Sequence, residues 1–115
     1  MCGILVVVKR GKQVNKELFP VMLDTLAKRG PDKRGVYYDQ NVALGQRRLS
    51  IIDLSDAGSQ PMWNEDNTVG LLCNGEIYNY RELEAGLKQK HVYKGRCDSE
   101  RLVHAYEELG QKMAE

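Results

Sequence analysis

The sequence predicts an α+β fold, and three observations carry the prediction. Apolar runs of strand length and stretches of helical periodicity follow one another as strand, helix, several strands, helix, strand, helix. Gly, Pro, Asn and Asp punctuate nearly every junction between them. With 115 residues, 42% hydrophobic and 29% charged, the chain suits one globular domain rather than two.

Taken in order, residues 4–8 are β-branched and apolar and end at Lys9-Arg10-Gly11, which reads as a buried strand and a turn. Leu18, Met22, Leu23 and Leu26 recur at helical spacing, with Pro20 tolerable only in the first turn. Lys28 and Arg29 suit a helix C-terminus, Gly30 a left-handed cap and Pro31 the stop. Residues 36–38 and 42–46, separated by Asp39-Gln40-Asn41, read as a β-hairpin, and Gly45 suggests a bulge or a close backbone approach. Residues 53–67 read as one long loop.

Residues 68–73 read as a core strand, with Cys73 a small buried residue. Asn74-Gly75 then makes a turn signal with positive φ available at the glycine. Asn79 and Glu82 form an apparent capping box for a helix running to about residue 90, with Leu83 and Leu87 inward. Val92-Tyr93 suggests a short strand. A last helix over 99–109 sets Leu102, Val103, Tyr106 and Leu109 on one side, and Gly110 breaks it.

Composition excludes several functions. Seventeen Lys and Arg against sixteen Asp and Glu give no electrostatic case for nucleic acid or an anionic membrane. The longest apolar run is far too short for a bilayer span or a secretory signal, so a cytoplasmic protein is expected. Three widely spaced cysteines, Cys2, Cys73 and Cys97, argue against a disulfide framework. No CxxC pair occurs, and His91 and His104 stand near no second ligand at metal spacing along the sequence, so no metal site is expected.

Chemistry first suggests itself at the start. If Met1 is trimmed, Cys2 carries a thiol and a free α-amine in one residue. The amine titrates near pH ~8 and the thiol near ~8.5, so the amine can serve as base for the thiol. A cysteine that merely opens a strand is the alternative on these residues alone.

Four further segments are polar or glycine-containing where the surrounding pattern does not require it. They are Arg29-Gly30-Pro31-Asp32, the stretch from Gly45 to Leu54 containing Arg48-Leu49-Ser50-Ile51-Ile52-Asp53, then Asn74-Gly75-Glu76-Ile77-Tyr78-Asn79, and Cys97-Asp98-Ser99-Glu100. With Met1-Cys2-Gly3-Ile4 in front and Gln60-Pro61-Met62 between, the series resembles the class II glutamine amidotransferase domain of glutamine-dependent asparagine synthetases. The resemblance runs from Met1 to Gly110.

That resemblance implies an N-terminal-nucleophile hydrolase with an αββα sandwich, of which residues 1–115 would be the N-terminal portion, the remaining strands and the synthetase domain being absent. It implies Cys2 as nucleophile on the side-chain amide of L-glutamine, its α-amine shuttling the proton. Asn74 by its side chain and Gly75 by its backbone N–H would form the oxyanion hole. Arg48 would hold the substrate α-carboxylate bidentately. Asp98 would take the α-ammonium, with an N-capping role as its competing explanation. The backbone of Leu49, Ile52 and Glu76 would line the pocket. No cofactor is implied for this chain; ATP and Mg2+ are expected only in the synthetase domain, the main partner, and a homodimer is compatible.

The sequence departs from the family at Gln46 and Lys28, where histidine is usual, and both changes bear on loop geometry rather than chemistry. Arg29-Gly30-Pro31-Asp32 is explained as a helix stop and assigned no catalytic role. Two other readings stand beside the asparagine-forming glutaminase. One is an amidotransferase for a sugar or cell-envelope carboxylate; the other is a truncated, non-catalytic remnant or interaction module, marginally stable on its own.

Overall fold

A computed structural model describes residues 2–51 and 54–114. The described chain is α+β, as expected, and its sheets are antiparallel. It divides into two compact units. The first comprises Met1–Ser50, Ser59–Pro61 and Leu72–Asn74, the second Ile51–Gly58, Met62–Leu71 and Gly75–Glu115.

In the first unit, β1 (Gly3–Val8), β2 (Lys33–Tyr38) and β3 (Val42–Arg48) form a sheet in the order β1-β3-β2. Both outer strands pair antiparallel with β3, from Gly3 opposite Arg47 to Val8 opposite Val42, and from Lys33 opposite Arg48 to Tyr38 opposite Ala43. The expected hairpin is therefore present, with longer strands. Helix α1 (Leu18–Asp24) lies on one face of the sheet, where Phe19 and Leu23 join Val14 and Ala43 in a small core bordered by Leu5, Val7, Leu26 and Tyr38. Asn15, unread in the sequence, begins the helix: its Oδ1 accepts hydrogen bonds from the N–H groups of Glu17 and Leu18 at 2.9 and 2.8 Å.

Two glycines work through close approach rather than unusual φ. A Cβ at Gly45 would come within 2.7 Å of Leu23 Cδ2 and 2.9 Å of Phe19 Cε1, which bears out the close approach read there. Gly30 corrects its expectation. The helix ends at Asp24, turns carry the chain to residue 29, and only Gly11 and Gly110 are glycines with positive φ among the described residues. What Gly30 supplies is the absence of a side chain, because a Cβ there would overlap the Arg47 carbonyl and lie 2.6 Å from the Arg48 nitrogen.

The apolar run of β1 reads as buried on both faces, but only one is covered. Ile4, Val6 and Val8 are exposed, Val8 by 60%, as is Val36 on β2. Pleating sends alternate side chains to opposite faces, and α1 covers one of them.

The second unit is more polar. The stretch read as one long loop contains a 3-10 turn at Asp56–Gly58 and strand β4 (Met62–Trp63), which pairs antiparallel with β5 (Gly70–Leu71); Asp53, its first residue, lies outside the described residues. The predicted core strand over 68–73 thus shrinks to two paired residues, and Cys73 is only partly buried. Asn64 organises the β4–β5 turn, its Oδ1 accepting from the N–H groups of Thr68 and Val69, both at 2.9 Å.

Helix α2 (Tyr80–Gly86) starts where expected but stops at Gly86, without a side-chain cap from Asn79 and without a fully buried residue. Leu83 and Leu87 are only half-buried, and Val92-Tyr93 is not a strand. Helix α3 (Glu100–Leu109) ends at Gly110, whose φ of 58° confirms the break, although a 3-10 turn follows over Gly110–Ala114. Its inward face also differs from the apolar stripe predicted. Glu100, Arg101, Val103, His104 and Ala105 are buried, whereas Tyr106 and Leu109 are exposed. Arg101 pairs with Glu84 at 2.9 Å and lies over the Tyr93 ring at 4.4 Å, which explains a guanidinium on the inward side. Among the described residues no helix is long and apolar enough to cross a membrane.

Burial on one sheet face gives a contrast measurable by urea denaturation. Leu23→Ala removes a side chain with no exposed surface and is expected to destabilise the chain by about 2–5 kcal/mol. Val8→Ala, on the uncovered face, is expected to stay within about 0.5 kcal/mol of the parent.

Candidate functional site

The pairing of β1 with β3 decides what lies beside Cys2. Gly3 stands opposite Arg47, so the preceding residue falls alongside Arg48 and Leu49. The Cys2 thiol meets the Leu49 peptide from both sides: Sγ accepts from the Leu49 N–H at 3.3 Å and donates to the Leu49 carbonyl at 3.6 Å. Arg48, the preceding residue, is buried to 6% exposure.

Arg29-Gly30-Pro31-Asp32, read as a helix stop, lies beyond the helix end at Asp24 and does other work. Arg29 Nε donates to the Cys2 carbonyl at 3.3 Å, and Arg47 Nε donates to the Gly30 carbonyl at 3.0 Å. The Asp32 N–H donates to the Arg48 carbonyl at 2.9 Å, while its Oδ2 accepts from the Ser50 N–H at 2.7 Å. With the Gly30 backbone laid against Arg47, the turn braces both Cys2 and residues 47–50. Sequence reasoning missed this because the contacts join segments far apart in the chain, and a helix stop already accounted for the residues.

Two glutamines hold the approach to Asn74. Gln46 is buried and its Nε2 donates to the Cys73 carbonyl at 3.3 Å; Gln60 Oε1 accepts from the Cys73 N–H at 2.6 Å. The Cys73 peptide is thus gripped on both sides, and Asn74 follows it at the surface. An amide serves here because one side of the pair must donate and the other accept. The first unit therefore contains Cys2, Arg48, Leu49 and Asn74.

Gly75, Glu76 and Asp98 belong to the second unit. Gly75 does not adopt the positive φ that its turn signal suggested, and both it and Glu76 are exposed. Asp98 is buried to 5% exposure, and the N-cap position of α3 falls on Ser99, which makes no side-chain cap bond among the described residues. The Asp98 Oδ2 accepts from the Ile77 N–H at 2.5 Å, fixing the segment that begins at Gly75. Ile52, also expected in the pocket, lies outside the described residues.

Elsewhere in the second unit the chain is held by other carboxylates. Glu100 accepts from the N–H groups of Lys94 and Gly95 at 2.6 and 3.1 Å. Glu108 accepts from Lys88 and Gln89 at 2.9 and 2.8 Å, and these backbone bonds, aided by His91, hold its carboxyl down at about 2. Burial pushes the Cys97 thiol up, which keeps it protonated and a poor nucleophile. The histidines expected to stand apart do not: His91 and His104 stack with ring centroids 4.4 Å apart, beside Glu65 and Glu107.

A thiol fixed by a neighbouring peptide and a buried arginine one residue before that peptide are suited to an acyl substrate that carries a carboxylate. Comparison with known proteins agrees. A family model described as a glutamine amidotransferase domain matches residues 1–115. Asparagine synthetase [glutamine-hydrolyzing] 2 of Bacillus subtilis is 40% identical over 96% of this chain, and a probable asparagine synthetase [glutamine-hydrolyzing] of Dictyostelium discoideum 38% identical over 96%. Amidase chry2 of Gibberella zeae is 42% identical over 86% of this chain. The chain spans only 15%, 20% and 15% of these relatives' lengths, respectively.

The brace under Cys2 can be tested with two glycines. Gly30→Ala forces apart the backbones of Gly30 and Arg47 and is expected to lower the chemical unfolding midpoint clearly. Gly86→Ala, with nothing within 4 Å of the new methyl group, is expected to leave it unchanged or raise it, by up to about 1 kcal/mol in stability.

Proposed function

The chain belongs to the glutamine amidotransferase domain family, and we propose that it hydrolyses L-glutamine at Cys2 to release ammonia. The observation that carries this reading is the seating of the Cys2 thiol against the Leu49 peptide, directly after the buried Arg48. In the proposed reaction Met1 has been removed. The Cys2 α-amine takes the thiol proton while Sγ attacks the side-chain carbonyl carbon of glutamine. Asn74 Nδ2–H and the Gly75 N–H donate to the oxygen that becomes negative. The amine passes its proton to the departing nitrogen, the carbon–nitrogen bond breaks, and ammonia leaves a thioester. Water then attacks the thioester carbonyl, giving glutamate and restoring the thiol.

Substrate discrimination rests on two opposite charges. Arg48 is the proposed partner of the α-carboxylate and Asp98 of the α-ammonium, with the peptides of Leu49, Ile52 and Glu76 completing the pocket. The Asp98 carboxylate can accept more hydrogen bonds than those given by the Ile77 N–H and the Cys97 thiol, and its burial strengthens a bond to an ammonium.

The whole protein is proposed to use the ammonia to make asparagine from aspartate with ATP and Mg2+, in a synthetase region outside these residues. Residues 1–115 are then the N-terminal portion of the amidotransferase domain. The proposed αββα sandwich is supported by the exposed outer face of β1, which a second sheet would cover.

The test is glutamate release from L-glutamine, with intact mass and labelling by the thiol-directed diazo-ketone analogue of glutamine. Parent protein lacking Met1 is expected to turn over and to take one label, on Cys2. Cys2→Ala is expected to lose both properties. Asn74→Ala should lower kcat by about 100-fold or more. Arg48→Lys and Asp98→Asn should act mainly on KM, by about 10-fold or more, because the first gives up bidentate pairing and the second gives up the charge in contacts present before reaction. A chain that retains Met1 yet turns over, or a Cys2→Ala variant as active as the parent, refutes the mechanism.

A further inference from the structure

We infer that Glu65, His91, His104 and Glu107 bind one divalent transition-metal ion of the zinc class. All four residues belong to the second unit. Glu65 lies in the β4–β5 turn, His91 in the irregular segment after α2, and His104 and Glu107 are three residues apart on α3. One ligand atom from each, two imidazole nitrogens and two carboxylate oxygens, lies within 4.8 Å of every other.

The spacing fits a tetrahedral ion. His91 Nδ1 is 3.7 Å from Glu65 Oε1 and 3.6 Å from Glu107 Oε2. His104 Nδ1 is 3.6 Å from Glu65 Oε2 and 3.6 Å from Glu107 Oε2. Contacts of that length are too long for hydrogen bonds. Bonds of roughly 2.0–2.2 Å to a tetrahedral zinc ion set ligand atoms about 3.3–3.6 Å apart, so these four spacings need only a small contraction and the widest separation, within 4.8 Å, a larger one.

His104 supplies a second, independent pointer. Its side chain is 1% exposed, and neither ring nitrogen has a hydrogen-bond partner among the described residues. Buried imidazole nitrogens ordinarily have partners, since leaving one unsatisfied is costly. A metal ion gives the Nδ1 lone pair its partner.

His91 is held for the same task. Its Nε2 lies 2.8 Å from Glu108 Oε1, and an ionised carboxylate can only accept, so Nε2 carries the hydrogen. In the neutral ring that leaves the Nδ1 lone pair directed at Glu65 and Glu107. A carboxylate behind a metal-binding histidine fixes tautomer and ring orientation in this way. Glu108 is itself anchored by the Lys88 and Gln89 N–H groups, and Glu65 by the Val92 N–H at 2.6 Å.

The donor set selects the ion. Two carboxylates balance a divalent charge, and two imidazoles favour zinc-class metals over calcium or magnesium, which prefer oxygen alone. Four protein ligands leave no open position for chemistry, so the ion is structural. It joins α3, the segment after α2 and the β4–β5 turn, and uses none of the residues proposed for glutamine hydrolysis.

The full 115-residue chain, stripped with EDTA and with its cysteines alkylated to remove thiol ligands, is titrated calorimetrically with Zn2+. One ion per chain is expected, with a higher thermal unfolding midpoint once it is bound. Co2+ should give the intense visible absorption of a four-coordinate site. His104→Gln and Glu107→Gln should each weaken Zn2+ binding at least about 10-fold. Glu107, 29% exposed, keeps the test meaningful if the buried histidine variant does not fold. Failure of the parent to take up Zn2+ near one equivalent overturns the inference. So does binding by a folded Glu107→Gln variant as tight as the parent's.

Discussion

Backbone N–H groups outside helices and sheets need acceptors, and meeting that need shapes most of this chain. Segments without regular structure flank the described candidate site residues. Their N–H groups are met by particular side chains: Asp32 for Ser50, Gln60 for Cys73, Asp98 for Ile77, Glu100 for Lys94 and Gly95, Glu108 for Lys88 and Gln89. Hydrogen bonds to carboxylates are stronger than neutral ones, and each fixes two chain segments at once. A carboxylate that would be read alone as surface charge is therefore a structural element here.

The same constraint explains what the sequence disclosed and what it hid. Strand β1, the β2–β3 hairpin and the break at Gly110 were legible because local pattern and turn chemistry determine them. The close approach at Gly45 was legible too, since a glycine inside a strand has few other reasons to be there. The ends of α1 and α2 were not legible. Periodicity continued past Asp24 and Gly86, but backbone contacts at Gly30 and the anchoring of Lys88 and Gln89 took the chain elsewhere. Reading Tyr106 and Leu109 as part of the inward side of α3 failed because its buried positions include Glu100, Arg101 and His104, which pattern reasoning counts as polar.

Among the candidate site residues, Cys2, Arg48 and Asp98 were picked out by their segments, and each now has a local structural setting. For Cys2 the setting is a register. Gly3 opposite Arg47 brings the thiol to the Leu49 peptide, and a Cβ at Gly3 would come within 2.8 Å of the Leu26 Cβ. Gly3 and Gly30 thus do related work on two sides of one strand end, each letting another part of the chain approach. Motif spelling could name these glycines but not their partners, which are 23 and 17 residues away.

The second unit raises a different physical question, namely what substitutes for an apolar core. Its fully buried apolar side chains among the described residues are Met62, Val103 and Ala105, set against buried Asn64, Asp98, Ser99, Glu100, Arg101 and His104. So little apolar burial contributes only a few kcal/mol at about 25 cal/mol per Å². Small units in this position need cross-links of another kind, and side-chain bonds to backbone supply some. Those bonds account for Asn64, Asp98 and Glu100 and leave His104 unexplained. An imidazole with both nitrogens buried and unpaired among the described residues is a poor substitute for leucine at the same place. Its presence beside a second histidine with a fixed tautomer and two carboxylates makes sense as half of a donor set, with the ion as the missing cross-link.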